Sequence, residues 1–290
     1  MPTALDIKLI NRSAVVEWLP VVVGLLVLYV PTFYDLATTL WKRDDFAHGP
    51  IILAVILWLI WDKRHVLLNA PLRTAPGLGF PLLLFGLLVY VTGRSQDIKL
   101  FEAGALIPIL AGVLLAMRGC PALRAMWFML LFIVYLVPLP GIWVDDVTGP
   151  LKQYVSTIAE HILYAVGYPV AQNGVVLSIG QYQLLVADAC SGLNSMFSLS
   201  AVGLLYLYLI RYKSWIRNGL ILASLLPIAF CANIVRVIVV VLVTYHFGDA
   251  AGQGFIHGFS GMVLFVTAII VVLLFDAILA RVFRPRKPAQ

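Results

Sequence analysis

The chain has 290 residues, 62% of them apolar by a broad count and only 12% charged, with a mean hydropathy of +0.98. Soluble domains carry about 25% charged residues, so a soluble globular chain is excluded. The formal charge of +6 sits in small groups between long apolar runs instead of forming the basic stripe of a nucleic-acid binder, which leaves an all-α polytopic membrane protein with no nucleic-acid partner.

A bilayer core about 30 Å thick takes roughly 20 apolar helical residues. Eight such runs are predicted, the first over about 15 to 34. Lys8 and Arg12 precede it and no small-residue cleavage pattern follows, so it reads as an anchor and not a removed signal. The next four lie near 47 to 61, 77 to 93, 100 to 117 and 123 to 138, the fifth closed by Pro138 and Pro140 in LVPLPG. Residues 141–189 form one extended outer region. Its first part has Leu151, Val155, Ile158, Ile162 and Val166 near helical spacing, which predicts an amphipathic helix on the outer interface. Its second part predicts a short β-hairpin, with Val175–Ile179 and Tyr182–Val186 flanking Gly180-Gln181.

The sixth span covers about 190 to 210, the seventh starts near Trp215, and the eighth runs from about 256 to 280. Ile216 to Phe247 is 32 residues, which as a helix is about 48 Å, too long for one upright span. One crossing kinked or broken near Pro227 and Asn233 is expected, with Arg236 near the far interface and Val237 to Val243 left without a place. Counting Lys and Arg in alternate loops gives fourteen on one side and five on the other, Arg236 aside. That bias puts both termini and the basic tail at 281–290 in the cytoplasm. With no internal repeat, residues 1–290 read as a single integral-membrane domain.

Ionisable residues within spans mark function. Cys190 opens span six, Arg236 lies in the outer part of span seven and His257 opens span eight, so all three fall at one outer face. A thiol near a helix N-terminus has its thiolate favoured by free amide donors and by a nearby cation. His257 can move a proton near neutral pH, and Arg236 can donate to an oxyanion on a scissile carbonyl. Each residue also has a plain packing reading. Cys190 would be a small helix-packing residue, Arg236 would snorkel or pair with Asp249 or Asp188, and His257 would cap a helix at the interface. A transporter or a scaffold subunit of polysaccharide export is the competing class, although the three residues cluster at one face and not at the midplane. Cys120 in the RGCP turn and Cys231 in an apolar helix read as structural, and the three cysteines share no metal spacing. No metal and no cofactor are expected.

ACSGLNS at 189 to 195, PIAFCANIVRV at 227 to 237 and HGFSG at 257 to 261 resemble the Cys, Arg and His motifs of the exosortases, polytopic bacterial cysteine transpeptidase-like enzymes. FAHGP at 46 to 50 is similar to that family's His-Gly segment, and SGLNSMFSLSA points to its B-type branch. The resemblance implies cleavage of a C-terminal sorting tail of the PEP-CTERM type from exported proteins, in the inner membrane of Gram-negative bacteria, in connection with exopolysaccharide and biofilm production. It implies Cys190 as nucleophile, His257 as acid/base and Arg236 as transition-state stabiliser, with Asn233 as a positioning residue. Asp188, Ser191, Gly192 and Asn194 would line the site. Partners would be the tailed substrates, membrane lipids and an acceptor nucleophile of unspecified chemistry. His48 receives no chemical role and reads as an interfacial histidine.

Overall fold

The computed structural model describes residues 12–43, 46, 48–69, 74–138, 141–185, 192–210, 215–258 and 260–282, of which 12–15, 69, 141–148, 192–196, 198–199, 253, 255–258, 260–265 and 282 are described by backbone alone. Helices dominate, and the chain divides into one unit up to Leu139 and another from Pro140.

The first unit contains α1 (Arg12–Thr38), α2 (Gly49–Asp62), α3 (Arg64–Asn69), α4 (Pro76–Ser95), α5 (Lys99–Gly104), α6 (Leu106–Met117), α7 (Cys120–Ala125), α8 (Trp127–Ile133) and a 3-10 turn over Val134–Leu136. The expected fourth span is thus interrupted between α5 and α6. Pro108 has no N–H for the Gly104 carbonyl, and the ladder resumes with the Ile109 amide donating to the Ala105 carbonyl at 3.1 Å. The expected fifth span is broken into α7, α8 and the turn, and it ends at Leu136, ahead of Pro138 as its prolines require.

Helix α4 packs closely on α6, and at its end on α5, because of a stripe of glycines seven residues apart. A Cβ on Gly79, Gly86 or Gly93 would come within 2.5 to 2.8 Å of the backbone of Ala116, Ile109 or Glu102 respectively. Small residues at such positions let two helices approach backbone to backbone, the main way apolar helices gain contact where lipid supplies no hydrophobic drive. At one end of this unit the buried Arg118 binds the Glu17 carboxylate at 3.0 Å and donates to the Leu67 carbonyl at 2.7 Å, and Trp18 donates to the same carbonyl. At the other end Glu102, 0% exposed, accepts from Thr32 at 2.7 Å, Arg94 at 2.8 Å and Lys99 at 3.1 Å, while Arg94 also binds Asp35. Arg94 and Lys99, two cations of the smaller group in the Lys and Arg count, are thus held in ion pairs at this end of the unit.

The second unit contains α9 (Gly141–Ala165), β1 (Val170–Asn173), β2 (Val176–Ile179), β3 (Tyr182–Leu185), α10 (Gly192–Ile210), α11 (Trp215–Phe247), α12 (Asp249–Gly258) and α13 (Ser260–Val282). The three strands form an antiparallel meander in the order β1, β2, β3, with Asn173 opposite Val176 and Ile179 opposite Tyr182. Gly180-Gln181 makes the expected turn, and a second two-residue turn at Gly174-Val175 adds the strand that the hairpin expectation lacked. Each turn has a glycine at positive φ in its first position, 63° at Gly174 and 56° at Gly180, as tight hairpins of this length require.

Helix α9 buries Val155, Ala159 and Leu163 against this sheet and against α11, with Ser156 buried as well, while Ile162 and Val166 are exposed. The expected stripe is therefore rotated: the helix packs on protein along an i, i+4, i+8 row of Val155, Ala159 and Leu163, with small Ala159 at its centre. Helix α11 is one continuous element of 33 residues that contains both Pro227 and Asn233, so of the kink or break expected there the break is not formed. Val237, Val240 and Val241, which the span count left over, extend it into the core formed with α9 and the sheet. Helices α10, α11 and α13 pack together below, and the buried Asp276 carboxylate binds Arg217 at 2.6 Å and accepts from Tyr206 at 2.7 Å.

Among the described residues, four helical segments are long and apolar enough to cross a membrane: Val16–Thr38, Pro76–Ser95, Lys99–Met117 and Trp215–Phe247. Gly49–Asp62, Trp127–Leu136 and Ser200–Ile210 are shorter apolar helices among the described residues. The expected eighth span starts at Ser260, four residues later than its apolar run, because the chain first forms the separate helix α12.

Candidate functional site

Polar residues on a buried helix face need a reason, since burying a charge costs several kcal/mol unless it is compensated. On α11, Asn233 is 2% exposed and Arg236 is 5% exposed, three residues apart on one face. They lie between two apolar clusters of different composition. Toward the start of the helix Leu225, Ile228, Ala229 and Ala232 pack with Ala268 and Val272 of α13. Toward its end Ile234, Val237, Val240 and Val241 pack with Val155, Ala159, Leu163 and the sheet residues Leu177, Ile179 and Leu184.

The height of this polar layer follows from helix geometry. From Trp215, which is 88% exposed, to Arg236 is 21 residues, about 31 Å of helix and one hydrocarbon thickness. Arg236 thus sits where the membrane-length part of α11 passes into the part clothed by α9 and the sheet. A Cβ at Gly252 of α12 would overlap Thr244 of α11, so the glycine permits α12 to fold back against α11 after the turn at Gly248, which has φ +89°. His257 lies in the last turn of α12 and not at the head of a long span as expected; Gly248 and Gly258 bound this short helix on either side.

Cys190, Asp188 and Ser191 lie outside the described residues. Gly192 opens α10, and Asn194 falls in its first turn; both are described by backbone. The described residues therefore bring Asn233 and Arg236 onto one buried face and put His257 on the helix packed against it. The chain toward Cys190 leaves β3 at Leu185, after Leu184 has joined the cluster around Val237. His48 occupies the N-cap position of α2 without a side-chain cap bond, and Gly49 beside it is required because a Cβ there would overlap the Trp41 indole. The free cysteines Cys120 and Cys231 are both exposed, so Cys231 faces outward from α11 and away from the polar layer. Among the described residues no group of three His, Cys, Asp or Glu could hold a metal ion.

The sequence model of the transmembrane exosortases matches residues 41–274. The chain belongs to the transmembrane exosortase family. The matched stretch of this exosortase holds FAHGP, ACSGLNS, PIAFCANIVRV and HGFSG in order, and with them the whole of the Asn233 and Arg236 layer. No curated protein and no solved structure gave a significant match. Two buried carboxylates of the exosortase were missed in the sequence: Glu102, and Asp276, which lies just beyond the matched region. Both are lone acids in apolar runs, EAGALIPIL and VVLLFDAIL, and that was signal enough to mark them.

Proposed function

We propose that this exosortase is a membrane-embedded cysteine peptidase or transpeptidase that removes a C-terminal sorting tail of the PEP-CTERM type from exported proteins. The observation that carries the reading is the buried Asn233 and Arg236 layer one bilayer thickness along α11, at the level where a substrate's own membrane helix would end. Counting from the approach of Gly252 to Thr244, eight residues back along α11 reach Arg236 and five onward along α12 reach His257. At about 1.5 Å per residue these are about 12 and about 8 Å, which supports a shared depth for the two side chains.

In the proposed reaction the Cys190 thiolate attacks the scissile carbonyl carbon, forming a C–S bond while the carbonyl oxygen becomes an oxyanion. Arg236 donates to that oxyanion, held from below by the Asn233 turn. Collapse of the tetrahedral adduct breaks the C–N bond, and His257 gives its proton to the departing amine of the tail. The tail leaves with its membrane helix. An acceptor nucleophile, water, a lipid amine or a glycan hydroxyl, then attacks the thioester, gives its proton to His257 and restores the thiolate. Asp188, Ser191, Gly192 and Asn194 line the site at the mouth of α10.

On this reading the chain crosses the bacterial inner membrane eight times, with both termini and the tail at 281–290 in the cytoplasm and residues 141–189 with the active site on the periplasmic side. It also falls in the B-type branch, with a link to exopolysaccharide and surface-protein sorting. Co-expression with a substrate bearing a Pro-Glu-Pro tail tests the reaction. Wild type, Cys120→Ala and Cys231→Ala are expected to release the tail, and Cys190→Ala is expected to leave the substrate at full mass. Processing that persists in Cys190→Ala would return the chain to the transporter or scaffold class.

A further inference from the structure

In the meander, Ile179 and Tyr182 close a two-residue turn and so form a hydrogen-bonded pair, which by the alternation of antiparallel ladders makes Leu177 and Leu184 the next such pair. The backbone N–H and C=O groups of Gln183 and Leu185 therefore point away from β2, toward the outer edge of the sheet. Among the described residues no strand and no backbone group pairs with that edge. Natural sheets guard such edges with lysine, proline, a bulge or a covering element. The other edge strand, β1, is entered from Pro169 and packs on α9, whereas Tyr182-Gln183-Leu184-Leu185 carries no charge and no proline. Leu184 is buried in the core while Gln183 and Leu185 are exposed on the opposite face, so the strand is fixed on one face, and its outward backbone groups have no backbone partner among the described residues.

We infer that the free edge of β3 takes up an extended segment of the substrate polypeptide as a fourth, added strand. The inference rests on the peptidase reading and gives that site its substrate geometry. The occupant is identified by sequence proximity: Cys190 comes five residues after Leu185 and so lies no more than about 17 Å from the end of β3, which keeps a peptide paired along β3 within reach of the nucleophile. Main-chain pairing of this kind supplies affinity with little demand on side chains, which suits an enzyme acting on one short junction in many different proteins. It also holds the scissile region extended, with its carbonyls presented in register.

The test uses the full-length enzyme in membranes with a tailed substrate that the wild type processes. Gln183→Pro removes an outward N–H without touching a bond to β2, a substitution that edge strands tolerate. It is expected to slow tail removal about tenfold or more, the effect of one or two lost backbone hydrogen bonds. Gln172→Pro, the equivalent change on the β1 edge, is expected to process at the wild-type rate. In a second arm, p-benzoylphenylalanine replaces Leu185 in the Cys190→Ala background, and irradiation is expected to yield an enzyme–substrate adduct mapped to residues beside the cleavage point. Equal rates for Gln183→Pro and wild type, with no substrate adduct at 185, would overturn the added strand while leaving the peptidase reading intact. An adduct of two enzyme copies, or one within the chain, would overturn it too by assigning the edge another occupant. Failure of the wild type to release the tail would instead bring down the peptidase reading, and the inference with it.

Discussion

Arg236→Ala is expected to lower the rate of tail removal by about two to three orders of magnitude, the range measured when one donor to a developing oxyanion is deleted. The side chain is buried at 5% exposure in a layer shared with Asn233, with apolar clusters before and after it along α11. A charge kept in such a place at a cost of several kcal/mol has to be offset by what it binds. Arg236→Lys is expected to recover only a small part of the loss, because an ammonium is a point charge without the planar fork that a guanidinium presents. A purely structural arginine would reduce the amount of folded enzyme and leave the chemistry of the remainder unchanged. The two roles are separated by alkylating Cys190 in the membrane-inserted variants at neutral pH. In the proposed site Arg236 is the cation beside the thiolate, and its loss lowers the share of thiolate, so Cys190 is expected to react more slowly in Arg236→Ala than in wild type at equal folded enzyme.

Asp276→Ala is expected to destabilise the second unit by about 3 to 5 kcal/mol, the usual effect of removing one partner from a buried ion pair. Asp276 joins Tyr206 at the end of α10, Arg217 at the start of α11 and its own helix α13, so one carboxylate ties three helices at a single end of the bundle. Its removal leaves the Arg217 guanidinium, 13% exposed, without this carboxylate in an apolar setting. The double replacement Arg217→Met with Asp276→Leu is expected to restore most of the lost stability, since apolar residues of similar size replace such pairs at little net cost. Thermal unfolding of the purified protein in detergent checks both outcomes. A single variant as stable as wild type would show that the carboxylate does not hold the three helices together.

Helix positions were legible because apolar runs of membrane length have few alternatives, and because LVPLPG ends a helix by the chemistry of proline itself. The Gly180-Gln181 turn was legible for the same local reason. Strand β1 was not, although Asn173-Gly174 is a strong turn signal, because Ala171-Gln172-Asn173 lacks the alternation that marks a half-buried strand. The orientation of α9 depends on partners far away in sequence: Ala159 looks like a weak core residue until α11 and the sheet are placed against it. Pro227 argued for a kink or break in α11, yet the helix runs on through it without a break, as membrane helices tolerate proline where the freed carbonyl finds another partner. That continuity is what gives Val237 to Val243 a place and sets the height of Arg236. For the site, the motif order was plain in the sequence, while the burial of Asn233 and the anchoring roles of Glu102 and Asp276 are products of tertiary packing.

The most direct test of the account is the mass of the enzyme caught in turnover. A form that keeps Cys190 and carries Cys120→Ala and Cys231→Ala is mixed with tailed substrate, quenched in acid and measured intact. The account predicts an adduct equal to the substrate without its tail, bound at Cys190, released by neutral hydroxylamine as a thioester must be, and missing when Cys190→Ala is treated in the same way. Tail removal at full rate with no adduct at Cys190, or an unchanged adduct in Cys190→Ala, would contradict it.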